Sequence, residues 1–284
     1  MAEVRILVID GNRAATREQQ VAAGGQSSGE GYARTLERLA PVRCEIVRPA
    51  DGEVRFAPGA GVASYDGVAI TGSALNVYDG GPHIERQVEL AREVFASGVP
   101  FFGSCWGLQV AVTAAGGRVR RNPLGREFGF ARRIELAAEG MTHPMFRGKP
   151  RVFEAITVHR DDIELLPESA VPLASNEMGL QAVEIQHQGG TFWGVQYHPE
   201  YTYAEIAATA LRYGSALIAE QLFASRAELE AFVAELRQLM KEPGNRRLLW
   251  KHGLGAAVHD ETQRLAELRN WLELKVLPYA HERD

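Results

Sequence analysis

Val99-Pro100-Phe101-Phe102-Gly103-Ser104-Cys105-Trp106-Gly107-Leu108-Gln109 is the stretch on which the reading of the chain turns. Residues 99–102 form a short apolar run of the kind that makes a buried strand, and residues 108–115 continue as a helix that stops at Gly116-Gly117. Cys105 falls where the strand turns into the helix, so its sulfur faces the helix's first amides, which favour a thiolate. Such a tight elbow forces an awkward backbone on the residue at its tip. Gly103 and Gly107 remove side chains that would collide there, as in the G-x-S-x-G elbow of serine hydrolases. Taken alone, G-x-C-x-G is explained about as well by a buried structural cysteine, because free cysteine is among the most buried residue types.

Working outward, residues 4–9, 42–47 and 67–71 read as strands, and residues 31–40 and 82–96 as helices. The second of these helices carries Ile84, Val88, Ala91 and Phe95 at helical spacing, with Pro82 at its start. Strands alternating with helices predict an α/β fold with a mostly parallel central sheet covered on both faces. Residues 10–31 read as a polar loop centred on Gly24-Gly25-Gln26-Ser27-Ser28-Gly29, long enough to be a lid or a contact surface. From about Val119 the chain becomes strand-rich, with runs at 128–136, 151–158, 171–175, 181–186 and 191–197. A helix follows over 202–220. A helical extension then occupies 222–284: Leu229, Phe232, Val233, Leu236, Leu239 and Met240 mark one face of an amphipathic helix ended by Pro243-Gly244-Asn245. Asp260 with Gln263 suggests a capped start for a last helix through Leu265, Leu268 and Leu272. The expected division is a domain over 1–221 and the extension over 222–284, packed on its own core by default.

The bulk numbers narrow the function. The chain has 284 residues, 45% hydrophobic and 24% charged, with a net charge of −5, as ordinary globular proteins do. No basic stretch suggests nucleic acid, and no apolar run approaches membrane-spanning length. Two cysteines, Cys44 and Cys105, exclude a disulfide framework and a four-cysteine zinc site. No secretion signal precedes the first strand, so a cytoplasmic setting with reduced thiols is expected.

A nucleophilic thiol needs a base. Phe192-Trp193-Gly194-Val195-Gln196-Tyr197-His198-Pro199-Glu200 offers one. Strand residues two apart share a face, so Glu200 is expected to flank His198, fixing its tautomer and stabilising its charged form.

Gly103-Ser104-Cys105-Trp106-Gly107-Leu108-Gln109 together with Gly194-Val195-Gln196-Tyr197-His198-Pro199-Glu200 resembles the class I (triad) glutamine amidotransferases. Residues 70–79 resemble that family's oxyanion-loop strand end, and Val158-His159-Arg160-Asp161 through Leu166-Pro167 its glutamine-pocket border. The resemblance spans roughly residues 4–215. It implies the family's flavodoxin-like fold, and a Cys105–His198–Glu200 triad that hydrolyses the γ-amide of glutamine or of a γ-glutamyl compound through a thioester, with no cofactor. It further implies oxyanion contacts from the backbone of Ser73, beside Gly72, and of Trp106. Gln109 would lie on the substrate side, and the backbone of Val158 and His159 would face the substrate's amino-acid end.

The chain departs from the family's common Gly-Gly-Pro at Gly72-Ser73-Ala74. The Ser73 side chain is expected to narrow the loop, and Ala74 to leave it less rigid. Residues 122–129 resemble the stand-alone members that are similar to the amidotransferase part of GMP synthetase. Glu127 within them reads as a loop or strand-edge charge rather than a substrate contact. No synthetase domain and no Gly-x-x-x-x-Gly-Lys loop is present. Three readings stay open: a free-standing γ-glutamyl amide hydrolase, a glutaminase subunit passing ammonia to a synthetase partner, and a ligand-binding protein without catalysis. The helical extension offers a docking surface for such a partner or for a second copy of the chain.

Overall fold

The computed structural model describes residues 3–283. In chain order the main elements are β1 (Val4–Ile9), α1 (Ala14–Ala22), α2 (Ser28–Leu39), β2 (Val42–Val47), β3 (Gly67–Ile70), α3 (Pro82–Ser97), β4 (Phe101–Ser104) and α4 (Trp106–Ala114). They continue with β5 (Arg118–Arg121), β6 (Glu127–Leu136), α5 (Ala138–Thr142), β7 (Val152–His159), β8 (Asp161–Leu165), β9 (Ala170–Asn176), β10 (Gly179–His187), β11 (Gly190–Val195), α6 (Tyr203–Ala219) and α7 (Arg226–Lys241). Short helical segments carry the chain to Arg283. Among the described residues no helix is long and apolar enough to cross a membrane.

Nine strands form one sheet in the order β2-β1-β3-β4-β11-β10-β9-β6-β7. The first five run parallel, and the remaining pairings are antiparallel. Within the parallel half β3 and β4 are wholly buried and β1 and β11 nearly so, as their apolar sequences require, while the edge strand β2 is partly exposed. Alternate residues of β1 enter opposite cores: Ile6 and Val8 one, Leu7 and Ile9 the other. The second core is roofed by α3 and α4 through Ile84, Val88, Phe95 and Leu108. The first is roofed by Tyr32 and Leu36 of α2, and by Leu265, Leu268, Trp271, Leu272 and Val276 from the extension. Residues 265–276 thus cover one face of the sheet. A third cluster joins α6 and α7 to Phe130 and Ile156 on the antiparallel half.

Register places the functional motifs side by side. β4 pairs with β11 so that Gly103 faces Gly194 and Ser104 faces Val195, and β3 pairs with β4 with Ile70 beside Gly103. All three strands end at the same edge, where parallel sheets present their ligand-binding loops.

Two expectations need correction, and one small sheet has no signal in the sequence. Residues 10–31 are not a loop: α1 and the start of α2 lie within them. α1 escaped notice because it has no apolar stripe, and its buried residue is Gln20, which donates to Thr209 at 3.2 Å and to Glu205 at 3.3 Å across the α1–α6 contact. The last helix is not continuous: it is divided into Glu261–Arg264, Ala266–Trp271, a wider turn at Leu272–Val276 and Leu277–Arg283. Asp260 does cap it, accepting from the Thr262 amide at 2.8 Å, but Gln263 instead presents its backbone carbonyl to Lys149 at 2.8 Å. Finally, β5 and β8 form a separate two-stranded sheet. The β5 sequence Arg-Val-Arg-Arg buries only Val119 and carries no strand signal.

Candidate functional site

Cys105 occupies the junction between β4 and α4 with φ 53° and ψ −102°, a conformation that non-glycine residues rarely adopt. Its amide donates to Val195 O at 2.8 Å, stitching the elbow to the end of β11. The glycines make the bend possible. A Cβ on Gly103 would lie 2.7 Å from the Gly107 carbonyl carbon, and one on Gly107 would lie 2.5 Å from Ile70 O. The thiol is buried, and its hydrogen points toward Val158 O at 3.5 Å.

His198 lies three residues beyond the last residue of β11 and is likewise buried. Its Nδ1 is 2.7 Å from Glu200 Oε1. The two residues sit in a turn after the strand, so the turn, and not strand alternation, makes the pair. Tyr201 stacks on the imidazole, with ring centroids 4.0 Å apart and planes 17° from parallel. Burial pulls the His198 pKa down, but the Glu200 carboxylate and the neighbouring Cys105 sulfur outweigh it and hold the group up, to about 10. With Nδ1 committed to Glu200, Nε2 has no hydrogen-bond partner among the described residues. That nitrogen is free for the sulfur or a substrate. The other cysteine offers no rival: burial and Glu37 push the Cys44 thiol up to about 12.

The Gly72–Ala74 loop is held by a residue that the sequence reading passed over. Asn12, buried in the turn after β1, donates to Gly72 O at 3.1 Å and accepts from the Ala74 amide at 3.0 Å. Ser73 Oγ donates to Gly11 O at 2.9 Å and accepts from the Leu75 amide at 3.2 Å. The serine hydroxyl is directed inward as an anchor, and Asn12 holds the loop by hydrogen bonds on both sides of Ser73. Trp106 is the first residue of α4, so its amide has no acceptor within the helix. Its indole is buried, donates to Gln87 Oε1 at 2.7 Å and packs where a Gly11 side chain would stand.

Gln109 is buried on α4 with its Nε2 3.4 Å from Gln196 Oε1. His159 turns its ring away from the thiol, with Nδ1 2.9 Å from Asp161 O and Nε2 2.8 Å from Glu127 Oε2. Glu127 is thus neither an exposed edge charge nor a lining residue. It is a buried hub that also accepts from Asn176 at 2.7 Å and from Gln181 at 3.1 Å. Tyr78 donates to Asp161 Oδ1 at 2.9 Å.

Cys105, His198, Ser73, Gln109, Val158 and His159 all line one open cleft of about 150 Å³. Thr16 and Gln20 of α1, Arg126, Arg160, Tyr201, Arg212 and Tyr213 complete its walls. The α1 and α6 contributions have no local signal, because they depend on how distant helices pack.

The family model for glutamine amidotransferase class-I matches residues 25–214. The chain belongs to this family. A γ-glutamyl-L-1-hydroxyisopropylamide hydrolase from a Pseudomonas species is 34% identical over 99% of this chain and 96% of its own length. The glutamine-hydrolysing GMP synthase of Thermosipho melanesiensis is 30% identical over 61% of this chain, which spans only 33% of that relative. Among solved structures, a glutamine amidotransferase from Thermotoga maritima superposes with a TM-score of 0.62 at 19% identity, covering 97% of this chain and 99% of its own. One from Methylobacillus flagellatus gives 0.59 at 17% identity, over 95% and 96%. Those two share the amidotransferase fold along nearly the whole chain, including the helical segments beyond residue 214.

Proposed function

We propose that the protein is a free-standing γ-glutamyl amide hydrolase that uses Cys105, His198 and Glu200. The observation that carries the reading is the buried Cys105 elbow beside an imidazole whose Nδ1 is committed to Glu200 and whose Nε2 is open. Cys105 attacks the γ-carbonyl carbon while its proton rests on His198 Nε2, and the C–S bond forms. The oxyanion is met by the amides of Ser73 and Trp106, a kind of contact whose single loss typically costs about a hundredfold or more in rate. The C–N bond then breaks, and His198 gives its proton to the departing amine. Water, deprotonated by the same nitrogen, cleaves the thioester and releases glutamate. Glu200 keeps His198 in the Nε2-facing orientation throughout.

The match to the γ-glutamyl-L-1-hydroxyisopropylamide hydrolase runs over nearly all of both chains, including the helical extension. The match to GMP synthase covers a third of that protein. This supports a hydrolase acting without a synthetase partner. Purified protein alone, given glutamine and γ-glutamyl amides, should release glutamate from at least one amide far faster than from glutamine, and Cys105→Ala should abolish that release. Glutamine hydrolysis that appears only on adding a synthetase would point instead to an ammonia-donating subunit.

A further inference from the structure

Three arginines line the cleft, and one of them is held in a close ion pair. Arg126 is clamped by Glu220, with contacts of 2.7 and 3.2 Å. Arg160 and Arg212 have no acidic partner within ion-pair distance among the described residues, and Arg160 Nε is buried without a hydrogen bond. A guanidinium that faces an open cleft without an ion-pair partner is available to an anionic ligand.

The two arginines enter the cleft from different elements, Arg160 from the turn between β7 and β8 and Arg212 from α6. Arg160 follows Val158 and His159, beside Asp161 and Tyr78, on the side where the thiol meets the end of β7. Arg212 projects from α6. Its Nε donates to Gln20 at 3.1 Å, and its guanidinium lies 4.2 Å over the Tyr213 ring, on the side where Tyr201 stacks against His198. Arg126 approaches the Tyr213 ring as well, at 4.9 Å, so two guanidinium groups share this ring. A proton donor must reach the nitrogen that leaves. The amine's substituent therefore points toward His198, Gln20 and Arg212, and the glutamyl end toward Arg160.

We infer that Arg212 forms an anion subsite for the leaving amine, so that the preferred substrates are γ-glutamyl conjugates of amines bearing a carboxylate, such as γ-glutamyl amino acids, with Arg160 holding the glutamyl α-carboxylate. This rests on the hydrolase reading and narrows it. The related hydrolase's hydroxyisopropylamide has no acid on its amine, so the inference separates this chain from that relative's named substrate.

The test compares γ-glutamylglycine with γ-glutamylethanolamide, which differ by a carboxylate against a hydroxymethyl group, on the wild type and on Arg212→Gln, Arg212→Lys and Arg160→Gln. A charge-assisted contact is worth about 10- to 100-fold in kcat/KM, so the wild type should prefer γ-glutamylglycine by that factor. Arg212→Gln should collapse the preference, Arg212→Lys should restore part of it, and Arg160→Gln should raise KM for both substrates together. Melting temperatures confirm that the variants fold. As a measurement independent of any variant, free glycine should inhibit the wild type more strongly than free ethanolamine. Equal turnover of both amides by the wild type, or a preference unaltered by Arg212→Gln, would overturn the subsite and leave the hydrolase reading standing. Failure of the wild type to cleave any γ-glutamyl amide would overturn both.

Discussion

Gly72 and His198 compete for the same space: a Cβ on Gly72 would lie 2.5 Å from the Cε1 atom of the imidazole. The loop expected to carry an oxyanion donor is thus also the wall against which the base rests. Gly72→Ala should push the ring away from Cys105 while leaving the buried sheet intact. A displacement near 1 Å costs on the order of a hundredfold in turnover. Steady-state rates with an unchanged melting temperature are the expected result, and full activity would show that the ring position is not critical.

The pH dependence follows from Glu200. In the proposed mechanism His198 must hold a proton to release the amine, and against the opposing effect of burial its pKa is held up to about 10 by Glu200 and the sulfur. Turnover should therefore persist into alkaline solution and fall as pH rises through about 10. In Glu200→Gln the supporting charge is gone, so the alkaline limb should move down toward the ordinary imidazole value of about 6.5. A limb that stays in place would show that Glu200 does not set the charge on His198.

Acid stability has a separate source. Glu184 accepts from His143 at 3.0 Å, from Trp193 at 2.8 Å and from Gln186 at 3.2 Å. The bond from His143 does most to hold its carboxyl down, to about 2. A carboxylate with a depressed folded pKa stabilises the protein above its ordinary value, and that contribution disappears as pH falls through the folded value. Glu184→Gln should cost about 1 kcal/mol at neutral pH, allowing for partial solvent exposure. The gap from wild type should shrink between pH 4.5 and about 2. Denaturant melts across that window provide the check, and a gap that stays constant would exclude the charge as its origin.

Beneath the helical extension lies a buried ion pair. Lys149 Nζ is 3.1 Å from Glu267 Oε1, both side chains are almost fully enclosed, and Tyr197 OH donates to the same oxygen at 2.5 Å. Removing one buried partner costs about 3–5 kcal/mol, whereas replacing both with apolar residues is often near neutral. Lys149→Met should thus destabilise strongly, and the double variant Lys149→Met/Glu267→Met should recover much of the loss. Additive effects in a double-mutant cycle would show that the two groups do not act as a pair.

What could be read from the residues was whatever had its chemistry or periodicity in the side chains. The elbow glycines announce themselves because only glycine tolerates the packing of Gly103 on Gly107, and the alternating apolar strands declared the buried parallel half. Elements held by polar contacts were not readable. α1 is fastened through Gln20, the Gly72–Ala74 loop through Asn12, and the β6–β7 end through Glu127, none of which has a hydrophobic pattern. Asn12 left the best clue: a short amide directly after Asp10-Gly11, at the same sheet edge where the other site loops emerge. The cleft walls from α1 and α6 had no local signal, because they depend on helices brought together from positions about 190 residues apart.

The Tyr197–Glu267 bond ties the residue before His198 to a helix made seventy positions later. During synthesis, Cys105, His198 and Glu200 all leave the ribosome before the segment that covers their sheet. A nascent chain stalled ahead of residue 261 would hold all three residues of the proposed triad and still lack the cover over one side of the β-sheet. Activity should therefore emerge late and abruptly in a series of stalled chains, and a gradual rise beginning soon after residue 200 would argue that the site matures without it.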